Sequence, residues 1–365
     1  MADRTVKIVL QAEDRLTPAL LKAGAATGQL DTQLGKTEKS LGRLAAAGKK
    51  YEGVGVGMLG VGTVMAAGVG AVVKKYADFD AEMSKVKAST NATAQEMLAL
   101  RDAAVRLGGD TQYSAKEAAA GVNELAKAGV GVKDVLGGGL KGALDLAAAG
   151  QMSVAEAAET AASAMTQFKL KGSDVPRIAD MLAAGANSAQ GSVHDMGMAL
   201  NQVGVVANQA GLSIQETVGG LTAFASAGMT GSDAGTSFKT MLMRLTPQST
   251  EARKEMELLG LSAYDSQGNF VGLAEFAGRL QTSMKGLSDE QRQAAMSTIF
   301  GTDAVRAASI LYDQGAAGVR KWTGEISKTG EAGRMAATYM DNLSGDLERL
   351  SGSFDTIFMQ SGSGV

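Results

Sequence analysis

Four serines are each followed, three residues later, by an acid at the head of a stretch rich in small apolar residues: Ser114-x-x-Glu117, Ser153-x-x-Glu156, Ser192-x-x-Asp195 and Ser213-x-x-Glu216. In this pattern the serine oxygen accepts an N–H of a first helical turn while the acid reaches back to the serine's own N–H. The acid also lies against the positive end of the helix dipole. The steps between the serines are 39, 39 and 21 residues, so the first three read as a loose repeat of helical hairpins. Gly129, Gly150, Gly211 and Gly228 follow helical stretches and are predicted to supply left-handed stops. With only Pro18, Pro176 and Pro247 among 365 residues, little else interrupts the helices.

The remainder extends a mainly α plan. Val6, Ile8, Val9 and Leu10 read as one short strand. Leu20, Ala23, Thr27, Leu30, Leu34, Thr37, Leu41 and Leu44 then step by three and four, a heptad seam with small or polar gaps. At the other end Met340, Leu343, Leu347, Leu350, Phe354 and Ile357 form a second seam, about two and a half heptads long. Between them, Asp265, Gly268 and Asn269 suit a chain reversal, followed by a short strand at Phe270 and Val271. The expected organisation is a strand plus heptad helix over 1–50, a hydrophobic glycine-rich segment over 51–75, a core of helical hairpins over 76–335, and the start of a coiled coil with a flexible tail over 336–365.

Residues 53–73 carry no charge and lie between two lysine pairs, Lys49–Lys50 and Lys74–Lys75. Twenty-one residues at ~1.5 Å rise are long enough for the ~30 Å hydrocarbon layer of a bilayer. Gly53, Gly57, Gly60, Val64, Ala66, Gly70 and Val73 mark the segment, whose small residues would let helices approach closely. Its glycine content holds its hydrophobicity below that of a leucine-rich span. Two readings stay open: a helix that enters lipid conditionally, and a helix buried among copies of itself. Valine and methionine disfavour a plain linker.

Several chemistries find no support. No cysteine is present, which removes disulfides and thiolate chemistry, and His194 is the single histidine. A solvated first-turn role suits His194 better than catalysis, because no base or nucleophile pattern accompanies it. Gly55-x-Gly57-x-x-Gly60 matches a dinucleotide fingerprint literally but lacks the preceding strand. Gly35-Lys36-Thr37 resembles the end of a phosphate loop, yet Leu30 stands where the opening glycine belongs. The loop at Asp265 has too few ligands for calcium. No catalytic, cofactor or metal residues are expected. The charge is +5 over residues 1–75 and −8 over the rest, too mild for a nucleic-acid surface. The first thirty residues are charged throughout, so no signal peptide is expected.

Longer blocks carry a family resemblance. DFDAEMSKVKASTNAT, LRDAAVRLGGDTQYSAKEAAAGVNELAKAG and LDLAAAGQMSVAEAAETAASAMTQF resemble the core region of phage tail tape measure proteins. So do LSIQETVGGLTAFASAGMTGSDAGTSFKTMLMRL, LGLSAYDSQGNF and FGTDAVRAASIL, which extends the match over residues 78–312. VKIVLQAEDRLTPALLK and NLSGDLERLSGSFDTI resemble the start of such proteins and the opening of their long coil. The resemblance implies a structural protein of the tail lumen, assembled in the host cytoplasm, that scaffolds tube assembly and length. It implies release at ejection to help genome passage across the host membrane. Implied partners are further copies of the chain (a trimer in preference to a hexamer), tail tube and tail tip or baseplate proteins, and assembly chaperones, with DNA only a neighbour in the tube. Such tapes are usually much longer than this, and 365 residues, even if all helical, would reach only ~550 Å, so a fragment or the tape of a short tail is expected. A membrane-inserting pore-forming effector is the alternative. A cell-wall hydrolase would need an added catalytic domain that the sequence does not display.

Overall fold

Each helix-start signature in the sequence opens a helix in the computed structural model, which describes the backbone of residues 61–341 and the side chains of 74–341. Contacts divide the chain after Ala81, so the described residues fall into a first unit, 61–81, and a second, 82–341. The first is part of helix α1 (Val61–Thr90). The second is all helical apart from its turns: α2 (Ala94–Asp110), α3 (Ala115–Lys127), α4 (Leu140–Gly150), α5 (Val154–Gln167), α6 (Val175–Ser188), α7 (Val193–Gln209) and α8 (Ile214–Ser226). Then come α9 (Gly231–Arg244), α10 (Thr250–Leu258), α11 (Leu273–Met284), α12 (Asp289–Glu325) and α13 (Glu331–Met340). A helical turn at Val132–Asp134 and a π turn at Val135–Gly139 lead into α4. The chain is mainly α.

The repeat expected from the serines is a stack of hairpins. The first helices of successive hairpins, α3, α5, α7 and α9, begin at residues 115, 154, 193 and 231, and each packs on the next. The second helices, α4, α6 and α8, form a parallel row, also neighbour on neighbour. Such a stack buries a continuous core that no single hairpin has alone. Here the core is built mostly from alanine, valine and leucine, with the described phenylalanine contacts gathered where α8, α9, α11 and α12 meet: Phe224 lies 5.1 Å edge-on from Phe238, and Phe276 6.4 Å from Phe300.

Glycine, 48 residues of 365, acts here mainly through its missing side chain. A Cβ on Gly121 would meet Val154 Cγ1 at 2.7 Å, and one on Gly235 would meet the Ala199 carbonyl oxygen at 2.2 Å. In the second row a Cβ on Gly142 would meet the Pro176 backbone at 2.9 Å. Both rows therefore stack at a separation that only glycine permits. Three of the four expected stops adopt the left-handed conformation, with φ of 85° at Gly129, 88° at Gly211 and 82° at Gly228. Gly150 does not. It stays in α4 against Met152 and Val193, and Gln151 turns left-handed instead, at φ 51°.

The long element α12 is bent twice, where Gly301 (φ 70°, ψ 176°) and Gly315 (φ 56°, ψ −172°) leave helical geometry. The Ser237 hydroxyl from α9 reaches this helix beyond the first bend, donating to the Asp303 carbonyl at 2.7 Å and accepting the Ala307 N–H at 3.3 Å. The reversal at 263–271 holds one antiparallel bridge, Tyr264 to Phe270, in place of the expected strand, and no strand occurs among the described residues. The expected N-terminal strand, the 20–44 seam and Gly53, Gly57 and Gly60 lie outside the described residues.

The hydrophobic segment is described only in part. Val64, Ala66, Gly70 and Val73 lie in α1, which continues through Lys74 and Lys75 to Thr90. No helix among the described residues is long and apolar enough to cross a membrane. Residues 61–73 are the uncharged part of α1 among the described residues.

Candidate functional site

Three places in the helical unit gather polar chemistry. The first lies between two hairpins. Ser114, Ser192 and Ser213 each cap a helix in the reciprocal way expected, with Ser114 N–H donating to Glu117 at 2.8 Å and Glu117 N–H to the Ser114 hydroxyl at 3.2 Å. Thr93 with Glu96 and Ser288 with Gln291 do the same. Ser153 accepts the Glu156 N–H at 3.2 Å, but the Glu156 carboxylate turns away from it to His194 Nδ1, 2.6 Å distant on the next hairpin. His194 is exposed, as expected of a first-turn histidine, yet it has the acidic partner that the sequence did not reveal. Among the described residues no side-chain nucleophile bonds the pair.

The second place is a cleft of about 540 Å³ in the elbow of α12 around Gly301. Met229 and Met296 form its buried floor, and Arg292, Arg306, Ser309 and Tyr312 stand on its walls. Arg292 lies over the Tyr312 ring, 5.0 Å from its centre, and pairs with Asp289. Arg306 bonds Asp233 of α9 at 2.6 Å. Both arginines are thus matched by exposed carboxylates, and such pairs contribute little stability.

The third place is the seat of α13, which packs on α4 and α6. The Asp180 carboxylate of α6 accepts the Gly330 N–H at 2.7 Å and the Ala332 N–H at 3.1 Å, so a side chain 150 residues away caps this helix. Glu331 is buried, accepting from Asn187 at 3.0 Å and from Arg334 Nε at 2.9 Å, and the Arg334 bond foremost holds its carboxyl below the usual range. Asp145 of α4 lies beneath Gly333, and burial pushes its carboxyl up although Lys141 sits 2.5 Å away. Of the expected seam residues, Met340 is the buried end of α13, while Leu343, Leu347, Leu350, Phe354 and Ile357 lie outside the described residues. Among the described residues no group of three or more His, Asp or Glu could hold a metal.

The sequence profile of one family, described as phage-related minor tail protein, matches residues 101–301, from inside α2 to the first bend of α12. The chain belongs to that family. The match covers all the stacked hairpins of the chain. It is also similar to a tape measure protein of Pneumococcus phage Dp-1, 33% identical over 335 residues, which is 89% of this chain and 29% of the relative. A second relative, named probable tape measure protein, from Escherichia phage P2, is 31% identical over 323 residues, 85% of this chain and 39% of the relative. The chain thus spans about a third of the length of these relatives. No solved structure matches it.

Proposed function

We propose that the chain is the structural tape of a phage or phage-like tail. In this reading it lies in the tail lumen, scaffolds tube assembly and length, and leaves at ejection to help genome passage across the host membrane. The observation that carries the reading is the likeness to two tape measure proteins over nearly the whole chain. The stack supports it: its polar groups pair with one another in caps and clasps, as suits a structural body rather than a catalyst. The division at 1–50, 51–75, 76–335 and 336–365 belongs to the same proposal. So do contacts with tube, tip or baseplate proteins and chaperones, and the association of copies along the seam from Met340 to Ile357, as a trimer in preference to a hexamer.

One experiment tests location and release together. Purified particles are treated with trypsin before and after triggered ejection in the presence of liposomes. The chain should resist cleavage in intact particles, become cleavable after ejection, and float with the lipid. Cleavage in intact particles at the rate of the free chain would contradict a place inside the tube.

A further inference from the structure

We propose that α13 is a detachable arm: it leaves α4 and α6 as a unit, pivoting on the link Ser327–Gly330, while the stack of hairpins beneath it stays folded, and Asp180 is the catch that holds it. Helices drawn from the low-stability end of a structure open on their own when few strong apolar contacts hold them. The buried apolar face of α13 is Ala332, Met335, Ala336 and Met340, without an aromatic or branched aliphatic residue. Alanine removes little area from water, and methionine is the most adaptable of core side chains.

What fixes the arm is polar and concentrated at its first turn. Two N–H groups that a helix N-terminus leaves without partners end on the one carboxylate of Asp180. The same positive helix end faces Asp145 through Gly333. Losing Asp180 therefore strips the arm of its cap and of a favourable charge together. The seat does not need the arm in return, since α4 also packs on α5 and α6, and α6 on α7 and α8. The pivot is ready: Gly330 has φ 78°, and the link from Ile326 holds four residues. Because the chain after Met340 leaves from this helix, any pull on those residues reaches α13 before it reaches the stack. The inference concerns the fold alone and stands whether or not the tail reading does.

Hydrogen exchange on the full chain tests it. In the native protein, amides of 331–340 should exchange faster than those of 175–188 beneath them. Asp180→Ala should accelerate 331–340 by about tenfold, the loss expected of a helix cap, and leave 154–167 and 193–209 unchanged. Because the chain has no cysteine, Asp145→Cys with Gly333→Cys gives a single cross-link. Oxidised, it should abolish the fast exchange of 331–340; reduced, it should restore it. Equal protection of 331–340 and 175–188 in the native chain, or a cross-link without effect on 331–340, would overturn the proposal, even if Asp180→Ala does not fold.

Discussion

At the scale of single residues, the glycines separate two physical roles that composition merges. Gly235 has no room, and Gly129 has room but a left-handed backbone with nothing within 4 Å of an added Cβ. Gly235→Ala should therefore cost about 1–3 kcal/mol by forcing α7 and α9 apart, and Gly129→Ala about 1–2 kcal/mol from backbone strain alone. Urea unfolding measures both, and near-ultraviolet dichroism should change only for Gly235→Ala; a Gly235→Ala chain as stable as the parent would show that the rows do not touch there. The sequence showed Gly129, Gly211 and Gly228 as stops because each follows a capped helix. It hid Gly121, Gly142 and Gly235, since a mid-helix glycine looks the same whether it faces water or a neighbouring backbone. His194 shows the same limit. Its exposure was legible from its place in a first turn, but Glu156 is 38 residues away and only the hairpin stack brings them together.

At the scale of elements, helix starts were legible at Ser114, Ser153, Ser192 and Ser213, because a serine with an acid three residues on is a local signature, although Ser262 and Asp265 share that spacing inside a turn. The bends of α12 at Gly301 and Gly315 were not, and neither was the capping of α13 by Asp180. The 263–271 reversal was placed correctly by its turn residues, while its expected strand is a single bridge between Tyr264 and Phe270. This turn yields a pH prediction. Asp265 accepts the N–H groups of Asn269 and Gln267, each at 2.9 Å, and the Asn269 bond foremost holds its carboxyl below the ordinary value. A depressed carboxyl stabilises the fold above its unfolded value and loses that contribution as pH falls through the folded one. The turn should therefore stay ordered at neutral pH and loosen only in acid below the usual aspartate range. Amide shifts of Gln267 and Asn269 should titrate together in that window; a transition near neutral pH would contradict this account.

At the scale of the whole molecule, a 39-residue rhythm in the sequence became two stacked rows of helices spanning the region matched by the minor tail protein family. Of the uncharged run, the described part, 61–73, is helical and continues through Lys74 and Lys75 to Thr90, while 53–60 lies outside the described residues. Association of copies through the C-terminal seam predicts that Leu347→Asp lowers the assembly state seen by mass photometry, and an unchanged mass would place the contact elsewhere. The central claim is that this body is a structural part of a tail. It is tested most directly by electron microscopy of particles produced when residues 101–301, the family-matched hairpins, are deleted in frame. The account predicts heads without tails, or tails of altered length; normal tails of unaltered length would contradict it.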